Sequence, residues 1–379
     1  MNSSKLHKIV KRIAEFQLRN HYKKHWNSDI LKYKTCKESK SSLKIFLEQR
    51  KLQNYWKCKP YHYYRYGFFR KDCKLSIEQM KDYVPNFFAY YLYFPRIYKG
   101  YMQLGRDKSL THTYLAGLGI PHPKVILKFS CGIFYSPDNL PVDQQEAIKM
   151  FNQCAAKRIF VKPDSGLGGY GIFVFTKTEN GFFTKTGQEF NEQFVQNEMK
   201  SISFVIQEGL IQHPEMDKIY KGSVNTFRLV TSVTEGKADL LFALFRMGQK
   251  GSEIDNASQG GLYCKIDHET GRLSEYAYSN DRQKYYNHAD SGVVFSETVI
   301  PAWEELKNFT LKIALQLKEI SVVGWDIAMS ENGPVVVEIN EGPGVEIVQD
   351  LYGGIREVLK IYNPEKWWNY SKFTTMYEY

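Results

Sequence analysis

An α+β (α/β) enzyme fold is predicted for this chain, on three observations. From about residue 157 onward, apolar runs of strand length follow one another, fenced by turn residues. Amphipathic helical runs lie among them, the clearest from Trp303 to Glu319. The first 80 residues or so differ: they are basic and helical in pattern. Mixed sheets flanked by a few helices give this fold class.

The elements follow in order. Among residues 1 to 80, Ile9, Val10, Ile13, Phe16 and Leu18 recur at near-helical spacing, with Lys8, Lys11, Arg12, Arg19, Lys23 and Lys24 between them. Two readings stay open: a solvated helix packing its apolar stripe on the body, which is favoured, or a basic amphipathic helix touching a membrane or glycan. Asp107, Lys108 and Ser109 open a helix that includes Tyr114, Leu115 and Leu118. Gly119 stops it, and Pro121 and Pro123 lead into a strand from Val125 to Phe129. Arg158 to Lys162 reads as a strand, with Gly171 to Phe175 as its hairpin partner. A helix from Asn191 to Lys200 precedes a strand from Ser203 to Gln207. Val224 to Val233 and Leu240 to Met247 are strands, the first with Arg228 in its middle. Tyr263 to Ile266 and Arg272 to Tyr278 form a hairpin around Glu269 to Gly271. The last strands, Val322 to Met329 and Pro334 to Ile339, are joined by the turn Glu331 to Gly333.

Bulk properties bound the function. The chain has 379 residues, enough for two or three sub-domains with a buried core. Hydrophobic residues are 43% and charged residues 24%, ordinary for a globular protein. A net charge of +10 favours anionic partners such as nucleotides, acidic glycans or a membrane face. The aromatic share of 15% is read as packing rather than a stacking surface. Cys36, Cys58, Cys73, Cys131, Cys154 and Cys264 are scattered without a CxxC pair, as expected of reduced thiols in a cytoplasmic protein. Cys58 and His62 have no second half of matching spacing for a metal site. The longest apolar run, Phe87 to Phe94, is too short to span a bilayer, and the opening residues lack the apolar core of a signal peptide.

Two constellations carry chemistry. The first is the loop Lys162-Pro-Asp-Ser-Gly-Leu-Gly-Gly-Tyr-Gly171. Its glycines let backbone N–H groups approach phosphate oxygens, and Lys162 supplies a point charge. The Lys precedes the glycines and no Lys-Ser/Thr follows them, so this is not a Walker loop. A strand rather than a helix follows, so it is not a dinucleotide fingerprint either. The second constellation is acidic. Asp326 lies in one strand; Glu338 and Asn340 end the next and share a face. Two carboxylates and an amide oxygen suit Mg²⁺ on nucleotide phosphates. The alternative is an acidic pair neutralised by Lys or Arg.

In this order, Lys162 before a glycine loop, the strand into Ile206-Gln207-Glu208-Gly209-Leu210, Asp326 and Glu338-Ile-Asn340 resemble the ATP-grasp superfamily. Val224 to Thr231, with Arg228, and Asp255-Asn256 to Gly261 resemble more narrowly the sugar-transfer-associated ATP-grasp proteins, relatives of α-L-glutamate ligases. The likeness spans roughly residues 105 to 350. Outside it lies the basic, largely helical region 1–100; the ATP-grasp fold it implies follows as a pre-grasp αβ segment 101–156, a small sub-domain 157–210 and a large sub-domain 211–379.

The resemblance also implies roles. Lys108 and Lys162 contact ATP phosphates, and the loop carrying Ser165, Gly166, Gly168 and Gly169 closes over them. Gln207, Glu208 and Leu210 form the hinge beside adenine. Arg228 stabilises the transferred phosphoryl group. Asp326, Glu338 and Asn340 bind one or two Mg²⁺, with Mn²⁺ as the alternative ion. Asn256 borders the acceptor pocket. The implied reaction joins a carboxylate to an amine through an acyl phosphate, in a glycan setting such as capsule or other surface polysaccharide biosynthesis. It needs positioning and charge neutralisation rather than a side-chain nucleophile, and no GxSxG elbow or Cys/His pair is found. A phosphotransferase and a non-catalytic ATP-binding module are the alternatives. Nucleic acid is not an expected partner, and a homodimer is left open. His213, His268 and His288 are read as exposed loop residues, Trp325 as core, and Trp367 and Trp368 as anchors of a terminal helix.

Overall fold

The computed structural model describes residues 30–98, 100–166, 170–200, 202–317 and 319–367, together with Ile9 and Ile13. The chain forms two compact units, one of residues 100–343 and one joining residues 1–99 to 344–379.

The unit of residues 100–343 holds two seven-stranded sheets, antiparallel throughout the described pairings. The strands of the first are β1 (Val125–Ser130), β2 (Ile133–Tyr135), β3 (Pro141–Val142), β4 (Arg158–Pro163), β5 (Phe173–Thr178), β6 (Gly181–Phe183) and β7 (Phe204–Glu208), in the order β3-β2-β1-β7-β4-β5-β6. Those of the second are β8 (Thr226–Thr234), β9 (Lys237–Met247), β10 (Leu262–Ile266), β11 (Leu273–Ser279), β12 (Lys284–Tyr285), β13 (Val322–Ser330) and β14 (Gly333–Asn340), in the order β12-β11-β10-β9-β8-β13-β14. Three helices matter most: α1 (Lys108–Gly117), α2 (Gln144–Asn152) and α3 (Trp303–Gln316).

Alternation along the strands decides what faces what. On β4, Ile159 and Val161 enter an aromatic core with Phe175, Phe194 and the stacked rings of Phe151 (on α2) and Phe190, 3.9 Å apart. Phe160 and Lys162 therefore point to the opposite face. On β13, Trp325 is fully buried and donates to Thr231 Oγ1 at 2.9 Å, so Asp326 turns the other way. Helix α3 buries Trp303, Leu306, Thr310, Ile313 and Ala314 at helical spacing against the second sheet.

The structure moves some predicted edges. The β8–β9 hairpin is tighter than expected: Glu235 and Gly236, both at positive φ (51° and 76°), make a two-residue turn, so β9 starts at Lys237 rather than Leu240. Gly171, at φ 72°, cannot continue a ladder, so β5 starts at Phe173. Asp107 caps α1 by accepting from Leu110 N, and Gly119 follows its end at φ 67°.

The other unit is helical in its described residues. The helix Ser42–Trp56 buries Ile45, Leu52 and Trp56. The apolar run from Phe87 to Phe94 is buried within the helical stretch that begins at Asn86 and includes a π turn over Ala89–Tyr93. The helix Val345–Tyr352 belongs here, although residues 211–379 were grouped together on sequence. Its Gln349 side chain accepts from Val84 N and donates to Val84 O, and its Asp350 pairs with Arg65. Of the predicted N-terminal helix, Ile9 and Ile13 are helical and 45% and 53% exposed, whereas Val10, Phe16, Leu18 and the named cations lie outside the described residues. Among the described residues no helix is long and apolar enough to cross a membrane.

Candidate functional site

Within residues 100–343 a cleft of about 980 Å³, open mouth included, lies where the outward faces of the two sheets meet. One wall comes from the first sheet: Phe160 and Lys162 of β4, Gly166 of the glycine loop, and Glu208 and Leu210 at the end of β7. The other comes from the second sheet: Thr226, Arg246, Asp326 and Glu338, with Asp255 and Asn256 from the loop after β9. Lys108, at the start of α1, reaches both walls. Its ammonium lies 3.1 Å from Gly166 O and 3.4 Å from a Glu338 oxygen.

The register of β14, β13 and β8 places Glu338, Asp326 and Arg228 side by side. Arg228 forks onto both oxygens of Asp326, with Nη2 at 2.9 Å from Oδ2, while its Nη1 donates to Pro343 O at 3.2 Å. Arg246, on β9, bonds the same Asp326 at 3.1 Å and Asp255 at 3.2 Å. Asp255 also accepts from the Thr226 hydroxyl. The result is a buried chain of alternating charge: Asp255, Arg246, Asp326, Arg228. Burial alone would keep Asp326 neutral, but Arg228 and Arg246 more than reverse this and hold its carboxyl below the ordinary range. Burial likewise opposes charge on Arg246, and Asp255 with Asp326 outweighs it, raising that pKa.

The opposite wall is short of counter-charge. Enclosure of the Lys162 ammonium pulls its pKa down to about 8, with Glu338 opposing and Lys108 adding to the fall. Behind it, burial and the nearby Lys162 hold His112 neutral, its pKa depressed to about 2. Asp164, buried at the root of the loop, accepts from Ser109 Oγ at 2.7 Å, and burial raises its pKa to about 6. The enclosed Lys162 ammonium is thus a candidate partner for an anionic oxygen.

The sequence-derived residues divide as follows. Lys108, Lys162, Gly166, Glu208, Leu210, Asn256, Asp326 and Glu338 line the cleft. Gly168 and Gly169 lie outside the described residues, and Ser165 is exposed beside the loop. Gln207 is fully buried, its amide 2.5 Å from His112 Nε2. Glu208 carries a 2.7 Å ion pair with Lys124. Asn256 caps a short turn by accepting from Ser258 N. Arg228 turns its charge onto Asp326, so Asp326 takes up the arginine-neutralised arrangement held open as the alternative to a metal ligand. Arg246 escaped the sequence reading, and Asp255 entered it only as part of a motif, without a role. Arg246 ends an apolar strand, the same signal that singled out Glu338. His288 is a correction: it is fully buried, with Nε2 2.8 Å from Gly248 O, because its turn folds back under the loop after β9.

The residues can be tested against Mg²⁺. Among the described residues no three acidic, His or Cys side chains gather as a metal cage. Mg²⁺ does not need one; it is commonly held by one or two carboxylates, substrate phosphates and water. Glu338 faces the cleft, and Asn340 follows it on the same face, its buried side-chain amide directed at Asp326. Amide O and N are interchangeable by a flip, so Asn340 can offer an oxygen there. The set fits Mg²⁺ through Glu338 and Asn340. Asp326 would join only by sharing oxygens already bonded to guanidinium groups.

Comparison with known proteins agrees on the family. The model of the family described as sugar-transfer associated ATP-grasp matches residues 92–360. No curated protein matches the chain. Solved structures similar to it include D-alanyl-alanine synthetase A from Vibrio cholerae (10% identity, TM-score 0.41, 70% of this chain and 66% of that one). D-alanine–D-alanine ligase from Bacillus anthracis is another (14%, TM-score 0.37, 71% and 69%). Phosphoribosylamine–glycine ligase from Thermotoga maritima is a third (11%, TM-score 0.40, 72% and 56%).

Proposed function

This chain belongs to the sugar-transfer associated ATP-grasp family, and we propose from that premise that it is an ATP-dependent carboxylate–amine ligase. The observation that carries the reading is the cleft, in which Lys162 and Lys108 face Arg246 and Glu338 of the second sheet. Two lysines and an arginine set among carboxylates, with Lys108 bridging to Glu338, suit a polyphosphate with its metal better than a neutral ligand.

ATP, when bound with Mg²⁺, supplies the phosphoryl group that turns a carboxylate into an acyl phosphate, which the amine then displaces. The protein's own residues position and neutralise. Lys108 and Lys162 hold phosphate oxygens from the glycine-loop side. Glu338 and Asn340 would hold the metal. Arg246 faces the developing negative charge, and Asp255 and Asp326 fix its direction. Arg228 acts through Asp326, as a positioning group. Glu208 and Leu210 line the end of the cleft where the base of the nucleotide would rest, with buried Gln207 and His112 as its floor. Asn256 borders the space left for the acceptor.

The family description supports a sugar acid or glycan as one substrate, joined to an amino acid or amine in surface polysaccharide biosynthesis such as a capsule. A cytoplasmic site of action fits a reaction that consumes ATP. A homodimer remains part of the proposal only as an assembly for light scattering to measure. The reaction is tested with a hydroxylamine trap. The protein is incubated with Mg·ATP, hydroxylamine and a panel of uronic and amino acids, beside a Glu338→Ala control. Hydroxamate and ADP from the wild type alone are expected. ADP without hydroxamate across the panel would move the assignment to phosphotransfer.

A further inference from the structure

The helix Ser42–Trp56 has two apolar sides. Ile45, Leu52 and Trp56 form the inward stripe and are buried. Its single acid, Glu48, also turns inward, 3.0 Å from Lys40 Nζ and 2.5 Å from the Tyr63 hydroxyl. The opposite side carries Leu43, Phe46 and Leu47, which are 68%, 61% and 50% exposed. Spacings of three and four put them together on the solvent face. Lys44, Arg50 and Lys51 surround them, all exposed. The face therefore combines three large apolar side chains with three cations and no exposed acid.

Clustered apolar side chains left in water mark an interaction surface rather than chance exposure. We infer that this face docks on an anionic lipid bilayer. The charge pattern selects that occupant. Apolar side chains beneath a ring of Lys and Arg match the depth profile of an interfacial helix, hydrocarbon below and charged headgroups beside it. A second copy of the same face would bring like charges together without compensation. The chain's own first 29 residues carry seven Lys or Arg against Glu15 and Asp29, so their charge does not complement the cations around this face.

Docking is independent of the ligase assignment and is tested apart from it. The full chain is floated with phosphatidylcholine vesicles, with and without phosphatidylglycerol, at low and high salt. Flotation is expected only with the anionic lipid, weakening as salt rises. Each cation near such a surface strengthens association about 5-fold. Lys44→Gln/Arg50→Gln/Lys51→Gln is thus expected to weaken partitioning on the order of 100-fold. Leu43→Ser/Phe46→Ser/Leu47→Ser is expected to abolish flotation while leaving the circular dichroism spectrum intact. The inference is overturned if neither vesicle floats the protein, or if both variants float as the wild type does. It is equally overturned if light scattering finds a dimer that the serine variant dissociates, which would seat a second copy on the face.

Discussion

Removing the Asp326 carboxylate strands a buried guanidinium. The Arg228 and Asp326 side chains are 7% and 2% exposed, so neither charge can recover solvation by a small movement. Arg246 keeps Asp255 at 3.2 Å after the loss, but Arg228 is left with the Pro343 carbonyl. Breaking one partner of a buried pair costs about 3–5 kcal/mol, a large share of a typical total stability of about 5–15 kcal/mol. Asp326→Ala is expected to lose that much. Asp326→Ala/Arg228→Met removes the stranded charge as well and is expected to recover about 2 kcal/mol of it. Urea denaturation read by hydrogen exchange in β8 and β13 peptides isolates this sheet from the other unit. A single substitution costing under about 1 kcal/mol, or a double variant equal to the sum of the singles, would refute the reasoning.

Further outcomes follow from the same wall charges. Lys162 loses its proton as pH rises through about 8, so ATP affinity measured by calorimetry should fall over that range, and Lys162→Arg, which stays charged, should flatten the profile. Its folded pKa lies below the ordinary Lys value of 10.5, so the unfolded chain holds the proton longer and this group's contribution to stability rises between about pH 8 and 10.5. Asp164 shifts the other way. Its folded pKa of about 6 exceeds the ordinary 3.8, so its contribution is greatest below pH 3.8 and is lost as pH rises to about 6. Asp164→Asn should remove that slope and raise stability at neutral pH by about 1–3 kcal/mol, seen as a higher Tm. Gly261→Ala would press a Cβ to 2.3 Å from Asp255 O, so it should displace Asp255 and weaken Mg·ATP binding about tenfold or more. Unchanged affinity would separate that loop from the nucleotide site.

Much of this was legible in the sequence because strands advertise themselves by period. The two-residue period put Glu338 and Asn340 on one face of β14 before any coordinates. The motifs that gather phosphate and metal ligands are local, and eight of the candidate residues line the cleft. Pairings were not legible. That Arg228 meets Asp326, and Arg246 meets both Asp326 and Asp255, depends on the register of β8 between β9 and β13, which no local signal carries. Burial of Gln207 and His288 depends likewise on α1 and on the loop after β9. The membership of the helix Val345–Tyr352 in the unit of residues 1–99 and 344–379 is a long-range packing choice, made by contacts such as Gln349 with Val84.

The central claim is that carboxylate oxygen is phosphorylated in the cleft. It is tested most directly with the carboxylate found in the hydroxylamine trap, labelled with oxygen-18 and given with Mg·ATP and the amine. Displacement of an acyl phosphate by the amine leaves one labelled oxygen in each inorganic phosphate released, and that is the mass shift expected. Unlabelled phosphate beside fully labelled carboxylate would contradict the claim, because ATP would then have been split without ever activating the acid.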